Sequence, residues 1–269
     1  MAQQVILSIQ SAVMHGAVGN DAAMPVYQHL KQPAERLDTV RLAAHPGFGT
    51  SAVCVTPPDD LNDLLTDYRQ LASFQNLAAV QTGYFGQPSQ IDPVARFISE
   101  SQAAHSQLIY LLDPVLGDGG RLYVDQAISE MMRDRLLPLA DIITPNQFEL
   151  GLLAGAAITT ETDAIDAARA LLGGRLQTVF VTGVPTTVGQ IADIMVCAET
   201  ETLISADKQA SGVSGSGDVL SAFFLSAVVS GKPMIQAAEM ASHRTAQILR
   251  RAETQLTMPV LPSVWKELV

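Results

Sequence analysis

Cysteine is scarce in this chain: Cys54 and Cys197 are the only two among 269 residues. Two thiols in apolar surroundings make no disulfide framework, which excludes the small disulfide-stapled secreted class and suits a reducing compartment. Positive charge is also in short supply, with 16 Lys and Arg against 27 Asp and Glu, a net charge of -11. An acidic surface repels phosphate backbones, so no nucleic-acid partner is expected. No apolar run reaches the roughly 18 residues that a membrane span requires; the longest, VLSAFFLSAVV, is far shorter. The opening MAQQVILSIQ lacks a basic segment, so no signal peptide is expected, and the sequence reads as soluble and cytoplasmic. The phosphate-loop signature G-x-x-x-x-G-K-[ST] is missing, because the one Gly-Lys pair, Gly231-Lys232, runs into Pro233. G-x-G-x-x-G fails at Leu220, and the letters GVSGS at 212–216 follow no strand that would make them a nucleophile elbow. The five histidines, 15, 29, 45, 105 and 243, show no metal-ligand spacing with cysteine or carboxylate, so a transition-metal site is not expected.

Hydrophobic residues make up 48% of the chain, enough for a large core. Short β-type runs alternate with helical patterns. Strands are predicted over 4–9, 38–44, 77–83, 107–114, 140–146 and 177–183, with an antiparallel pair at 190–197 and 201–206. Helices are predicted over 21–31, 58–74, 89–104, 125–137, 147–155, 162–174 and 234–251, and Asp125 is placed to cap its helix. This alternation implies one three-layer α/β/α domain over 1–269, with a mostly parallel central sheet flanked by helices. Functional residues in such folds gather at the carboxyl ends of the strands.

Four stretches at such ends carry chemistry. In GSGD, Gly215, Ser216 and Gly217 stand before Asp218 and an apolar helix. A glycine-rich helix start offers backbone N–H groups and the positive end of the dipole to an anion. Asp218 in the first turn is then within reach of that anion and could take a proton from a hydroxyl, or could simply cap the helix. In DPVLGDGGRLYV, Asp113 ends a hydrophobic strand and Asp118 follows in a glycine-rich loop; the pair could hold Mg²⁺, or the loop could be only a turn. In TPNQFE, Asn146 and Glu149 have capping-box spacing, and they either close the helix end or face a metal–nucleotide site. In the stretch 8–30, Ser11 is expected to follow the first strand, and Gly16 and Gly19 shape a compact loop beside an apolar ligand site. His15 in that loop reads as an exposed polar residue.

Together and in this order, SIQSAVMHGAVGNDAAMPVYQHL, QTGYFG, DPVLGDGGRLYV, ADIITPNQFELGLLAG, TVFVTG and GSGDVLSAFFLS resemble the pyridoxal kinase family of the ribokinase-like kinases. GSGD marks the broad superfamily; SIQS, the G-x-VGN segment and TPNQFE are specific to the vitamin B6 branch. The resemblance implies a ribokinase-like fold and ATP-dependent phosphorylation of the 5′-hydroxyl of pyridoxal, and of pyridoxine or pyridoxamine. It implies Asp218 as catalytic base and Gly215, Ser216 and Gly217 as anion hole. Asp113, Asp118, Tyr123, Asn146, Glu149 and Thr182 match positions around ATP, with Asp118 and Glu149 on the metal. Ser11, Val18, His45 and Tyr84 match positions around the pyridine ring. Mg²⁺, a monovalent cation such as K⁺, and a homodimer are further implications.

The sequence departs from that pattern in places. AAHP at 43–46 stands where Ser-Asn-His-Thr is common, so Pro46 offers no hydroxyl; Leu42 replaces an aromatic residue. Leu112 stands where some bacterial relatives carry cysteine, and the loop SADKQASGV is short. Two alternatives stand beside the main reading: a hydroxymethylpyrimidine kinase of the same superfamily, which acts on a related hydroxymethyl heterocycle, and a catalytically weak pyridoxal (phosphate)-binding protein, which the altered AAHP segment motivates.

Overall fold

A computed structural model describes residues 4–49, 52–186, 191–208 and 213–250. Its eleven strands are β1 (Val5–His15), β2 (Ala34–Ala44), β3 (Val53–Val55), β4 (Leu77–Thr82), β5 (Ile109–Leu112), β6 (Gly117–Asp118), β7 (Arg121–Leu122), β8 (Ile142–Ile143), β9 (Thr178–Pro185), β10 (Ile191–Cys197) and β11 (Glu201–Lys208). The α-helices are α1 (Asn20–His29), α2 (Pro58–Tyr68), α3 (Ile91–Ala104), α4 (Gln126–Met131), α5 (Gln147–Ala154), α6 (Glu161–Leu171), α7 (Ser216–Val229) and α8 (Met234–Leu249).

Nine strands form one sheet in the order β11-β10-β9-β8-β5-β4-β1-β2-β3. The strands from β9 to β2 run parallel, and β3, β10 and β11 are antiparallel additions at the two edges. Because the chain places β2 on one side of β1 and β4 on the other, the order reverses between β1 and β4. A crevice opens at such a switch point, beyond the carboxyl ends of the strands.

Side-chain alternation along each strand divides the apolar residues between two cores. Ile6, Ala79, Leu111, Ile142, Phe180 and Met195 face a layer formed by α1, α7 and α8. Their chain neighbours Leu7, Val80, Leu112, Ile143, Val179 and Ile194 face the other layer, built on α2 to α6. Both sheet faces are covered, so the central strands read as continuous hydrophobic runs. Helix α7 shows no polar face: every residue from Val219 to Val229 is buried, because α1 and α8 flank it and the sheet lies beneath. No helix among the described residues is long and apolar enough to cross a membrane.

The expected three-layer fold and the antiparallel pair are present. Asp125 caps α4, accepting from Ala127 N–H at 2.8 Å. Other boundaries differ. The first strand runs to His15 instead of ending at residue 9, so Ser11 lies within β1 and does not follow it, and His15 is the strand's exposed last residue. Ser8, inside the expected strand, and Gln10 and Ser11, beyond it, are polar, yet each is buried. Ser8 and Gln10 are linked by bonding: Gln10 Nε2 donates to Ser8 Oγ, which donates to Asn20 Oδ1, both at 2.8 Å. The strand expected over 140–146 shrinks to two residues, with a separate bridge pairing Asn146 and Thr182. The helix expected over 125–137 passes into a π-helical turn at Met132–Leu136. Residues 209–212 of the SADKQASGV loop and Arg251 at the end of the predicted last helix lie outside the described residues.

Candidate active site

A cavity of about 1460 Å³ occupies the carboxyl edge of the sheet, at the switch point and beside it. The residues matched to the catalytic, ATP and ring positions all line it: Ser11, Val18, His45, Tyr84, Asp113, Asp118, Tyr123, Asn146, Glu149, Thr182, Gly215, Ser216, Gly217 and Asp218. They arrive on different strands and on the connections that follow them, which explains their wide separation in the chain.

The start of α7 forms one wall. Gly215 takes a left-handed conformation, φ 93°, that only glycine adopts without strain, and among the described residues no side chain caps the helix. The N–H groups of the first turn therefore keep their capacity for a bound anion, with the helix dipole behind them. Asp218 sits in that turn but does not cap it. Its Oδ2 accepts instead from the backbone N–H of Gly19, 2.8 Å away on the β1–α1 connection. Asp218 keeps partial access to the cavity. Desolvation by the surrounding protein raises its pKa, and the Gly19 N–H opposes that shift.

Beneath it lies a second carboxylate. Asp113 follows β5, is 4% exposed, and accepts from Ser221 Oγ at 2.7 Å. Thr144 Oγ1 lies 2.9 Å from Ser221 Oγ; with the Ser221 proton given to Asp113, Thr144 is the donor in that pair. Burial, and then the nearby charges of Asp218 and Glu149, push the Asp113 pKa well above the carboxylate range.

Glu149 holds a third corner. Its Oε2 accepts from Asn146 N–H at 2.9 Å, and Asn146 Oδ1 accepts from Glu149 N–H at 2.9 Å, so the capping box is present. Glu149 Oε1 also accepts from Leu116 N–H at 2.9 Å and Gly117 N–H at 3.4 Å. Asn146 Nδ2 completes the link by donating to Gly117 carbonyl at 2.7 Å. The two alternatives for this pair thus coexist: they close the helix and hang the β6–β7 hairpin, with Asp118, over the cavity. Burial pushes the Glu149 carboxyl up to about 8 in spite of its backbone donors.

These oxygens suit a hard divalent cation. No group of three or more His, Cys, Asp or Glu side chains forms a metal cage among the described residues. Both Glu149 oxygens are engaged by backbone donors. The arrangement fits Mg²⁺, which keeps several waters and leans on substrate phosphates, better than an ion held entirely by protein.

At the other end, Ser11, Val18, Leu42, His45, Pro46 and Tyr84 line the cavity. Two departures from the pyridoxal kinase pattern, Leu42 and Pro46, are thus wall residues. His45 Nδ1 accepts from Gly47 N–H at 3.2 Å in a short turn begun by Pro46. Partial burial lowers the His45 pKa. The neutral ring therefore carries its proton on Nε2.

Three participants were not read from the sequence as site residues: Gly19, Thr144 and Ser221. Ser221 left one signal, a polar residue three positions after Asp218 inside an apolar helix.

Comparison with known proteins identifies the family and the fold. The phosphomethylpyrimidine kinase family model matches residues 50–262. A pyridoxal kinase PdxY from Rubrobacter xylanophilus is 32% identical over 251 residues, covering 91% of this chain and 87% of the relative. A pyridoxine/pyridoxal/pyridoxamine kinase from Bordetella bronchiseptica is 32% identical over 250 residues, covering 91% and 88%. The structure of pyridoxal kinase from Leishmania donovani in complex with ADP and pyridoxine superposes with a TM-score of 0.87 at 25% identity, covering 98% of this chain and 94% of that one.

Proposed function

We infer that this chain, which belongs to the pyridoxal kinase family, transfers the γ-phosphoryl group of ATP to the 5′-hydroxyl of pyridoxal and its related vitamers in B6 salvage. One observation carries the reading. A carboxylate anchored by Gly19 N–H stands in the first turn of an uncapped helix start, inside one cavity that also holds the residues matched to ATP and to the pyridine ring.

In the proposed mechanism the ring end, with Ser11, Val18, His45 and Tyr84, orients the hydroxymethyl group toward Asp218. Asp218 takes the hydroxyl proton as the oxygen–phosphorus bond forms and the bond from the γ-phosphorus to the β-phosphate oxygen breaks, releasing ADP. The first-turn N–H groups of Gly215, Ser216 and Gly217 face the charge on the transferring group; fixed donors of this kind act most strongly where water is excluded. Asp113, Asn146, Thr182 and Tyr123 surround the nucleotide phosphates. Asp118, and Glu149 through water, would hold Mg²⁺, which neutralises phosphate charge when bound. A monovalent cation such as K⁺ would add to that neutralisation.

We place the enzyme in the cytoplasm, acting as a homodimer of single-domain chains over 1–269. A coupled assay with pyridoxal, pyridoxine, pyridoxamine and hydroxymethylpyrimidine tests the substrate. ATP-dependent product from pyridoxal is expected. Product from the pyrimidine alone would replace this reading with the second one, which the family model's description favours.

A further inference from the structure

The VGN segment, Val18-Gly19-Asn20, was singled out in the sequence as specific to the B6 branch, yet Asn20 does not line the cavity. It is fully buried at the first position of α1. A buried primary amide demands partners for its oxygen and both hydrogens, and here they bind three segments together. Asn20 Oδ1 accepts from Ser8 of β1 at 2.8 Å. Its Nδ2 donates to Asp38 Oδ1 at 2.8 Å and to Leu37 carbonyl at 3.1 Å, both on β2. A wider clamp surrounds it: Arg36 bonds Asp38 and Asp21, and Asp21 accepts from Val13 N–H at 2.6 Å.

The residue before Asn20 is Gly19, whose N–H holds Asp218 Oδ2. Gly19 has little freedom to move by itself. A Cβ built on it would lie 2.2 Å from Ser11 carbonyl and 2.4 Å from Ser11 Oγ. Ser11, Gly19 and Asp218 therefore meet at one point, and the amide that fixes that point is Asn20.

We propose that Asn20 is a positioning residue for phosphoryl transfer, acting through the Gly19 N–H to hold Asp218 Oδ2 and leave Oδ1 for the substrate hydroxyl. This rests on the kinase reading for its functional consequence. Its structural core, that Asn20 fixes the Gly19–Asp218 bond, stands apart from the substrate.

The experiment compares wild type with Asn20→Ala, using amide hydrogen exchange at Gly19 and steady-state kinetics per folded molecule. Exchange at Gly19 is expected to accelerate at least tenfold while Val219–Val229 of α7 keep their protection. With pyridoxal and ATP, kcat is expected to fall on the order of ten- to a hundred-fold, as for a displaced catalytic group, with KM for ATP unchanged. A merely structural role would lower the folded fraction and leave kcat per folded molecule as it was. Unchanged Gly19 exchange, or unchanged kcat per folded molecule, overturns the proposal. If Asn20→Ala does not fold, Asn20→Ser gives the same comparison, since it keeps a small polar side chain at the start of α1 and is too short to span to Asp38 and Leu37 of β2. Wild type that phosphorylates no B6 vitamer sinks the kinase reading instead, and the exchange comparison then decides the positioning by itself.

Discussion

Ser221 Oγ donates to Asp113 Oδ2 across 2.7 Å, so a single helix carries both the partner of one site carboxylate and, three residues earlier, the other carboxylate itself. The pair is buried, and a buried acceptor that loses its donor is costly. Ser221→Ala is expected to destabilise the fold by about 1–3 kcal/mol. In an Asp113→Asn background the same change should cost measurably less, because the two residues are coupled. Urea unfolding of the four proteins gives the cycle, and an additive result would show that the contact contributes nothing.

Asp218→Asn keeps an acceptor for Gly19 N–H but cannot take a proton. Turnover of pyridoxal is expected to drop about 10²–10⁴-fold, the usual worth of a general base, with little change in KM. Near wild-type turnover would remove Asp218 from the role of base.

Gly217 lines the cavity, and among the described residues outside its own turn no atom lies within 4 Å of where a Cβ would stand. Gly217→Ala should therefore leave stability equal or raise it by up to about 1 kcal/mol, since alanine is the better helix residue. Its methyl group would intrude on a ligand held at this turn. KM for ATP is expected to rise, read by initial rates at varied ATP. Unaltered ATP kinetics would place the phosphates away from this turn.

Glu149 gives a pH signature. Its carboxyl is pushed from 4.5 up to about 8 in the folded state. Between those values the folded protein binds a proton that the unfolded chain has released, so stability falls as pH rises. Relative to Glu149→Gln, which cannot titrate, wild type should lose up to about 1.4 kcal/mol per pH unit across that window and little beyond it. Denaturation midpoints from pH 5 to 9 without divalent cations measure this. A difference between the two proteins that does not vary with pH would count against a protonated Glu149.

Much of this was legible in the sequence because its signals are local. Short apolar runs bounded by turn residues marked β4, β9 and the β10–β11 pair, and TPNQFE showed its capping box as a spacing of three. Glycines and carboxylates at strand ends marked the cavity wall. The sequence was less informative where stability comes from a distant partner. β1 looked shorter than it is because Gln10 and Ser11 are polar, and nothing local shows that Asn20, twelve residues after Ser8, anchors the Ser8–Gln10 pair. The bonds from Gly19 to Asp218 and from Ser221 to Asp113 depend on the register of whole layers. β3, β6 and β7 are too short to leave a periodic pattern.

The layer made by α1, α7 and α8 also constrains biosynthesis. Gly19 and Asp218 are 199 residues apart, and the apolar face of α1 packs on a helix that emerges long after it. Through most of translation, α1 and one face of the central strands have no cover. Such non-local closure is slow and leaves sticky intermediates. The same contact that completes the site thus leaves apolar surface of the nascent chain unpaired until α7 has left the ribosome.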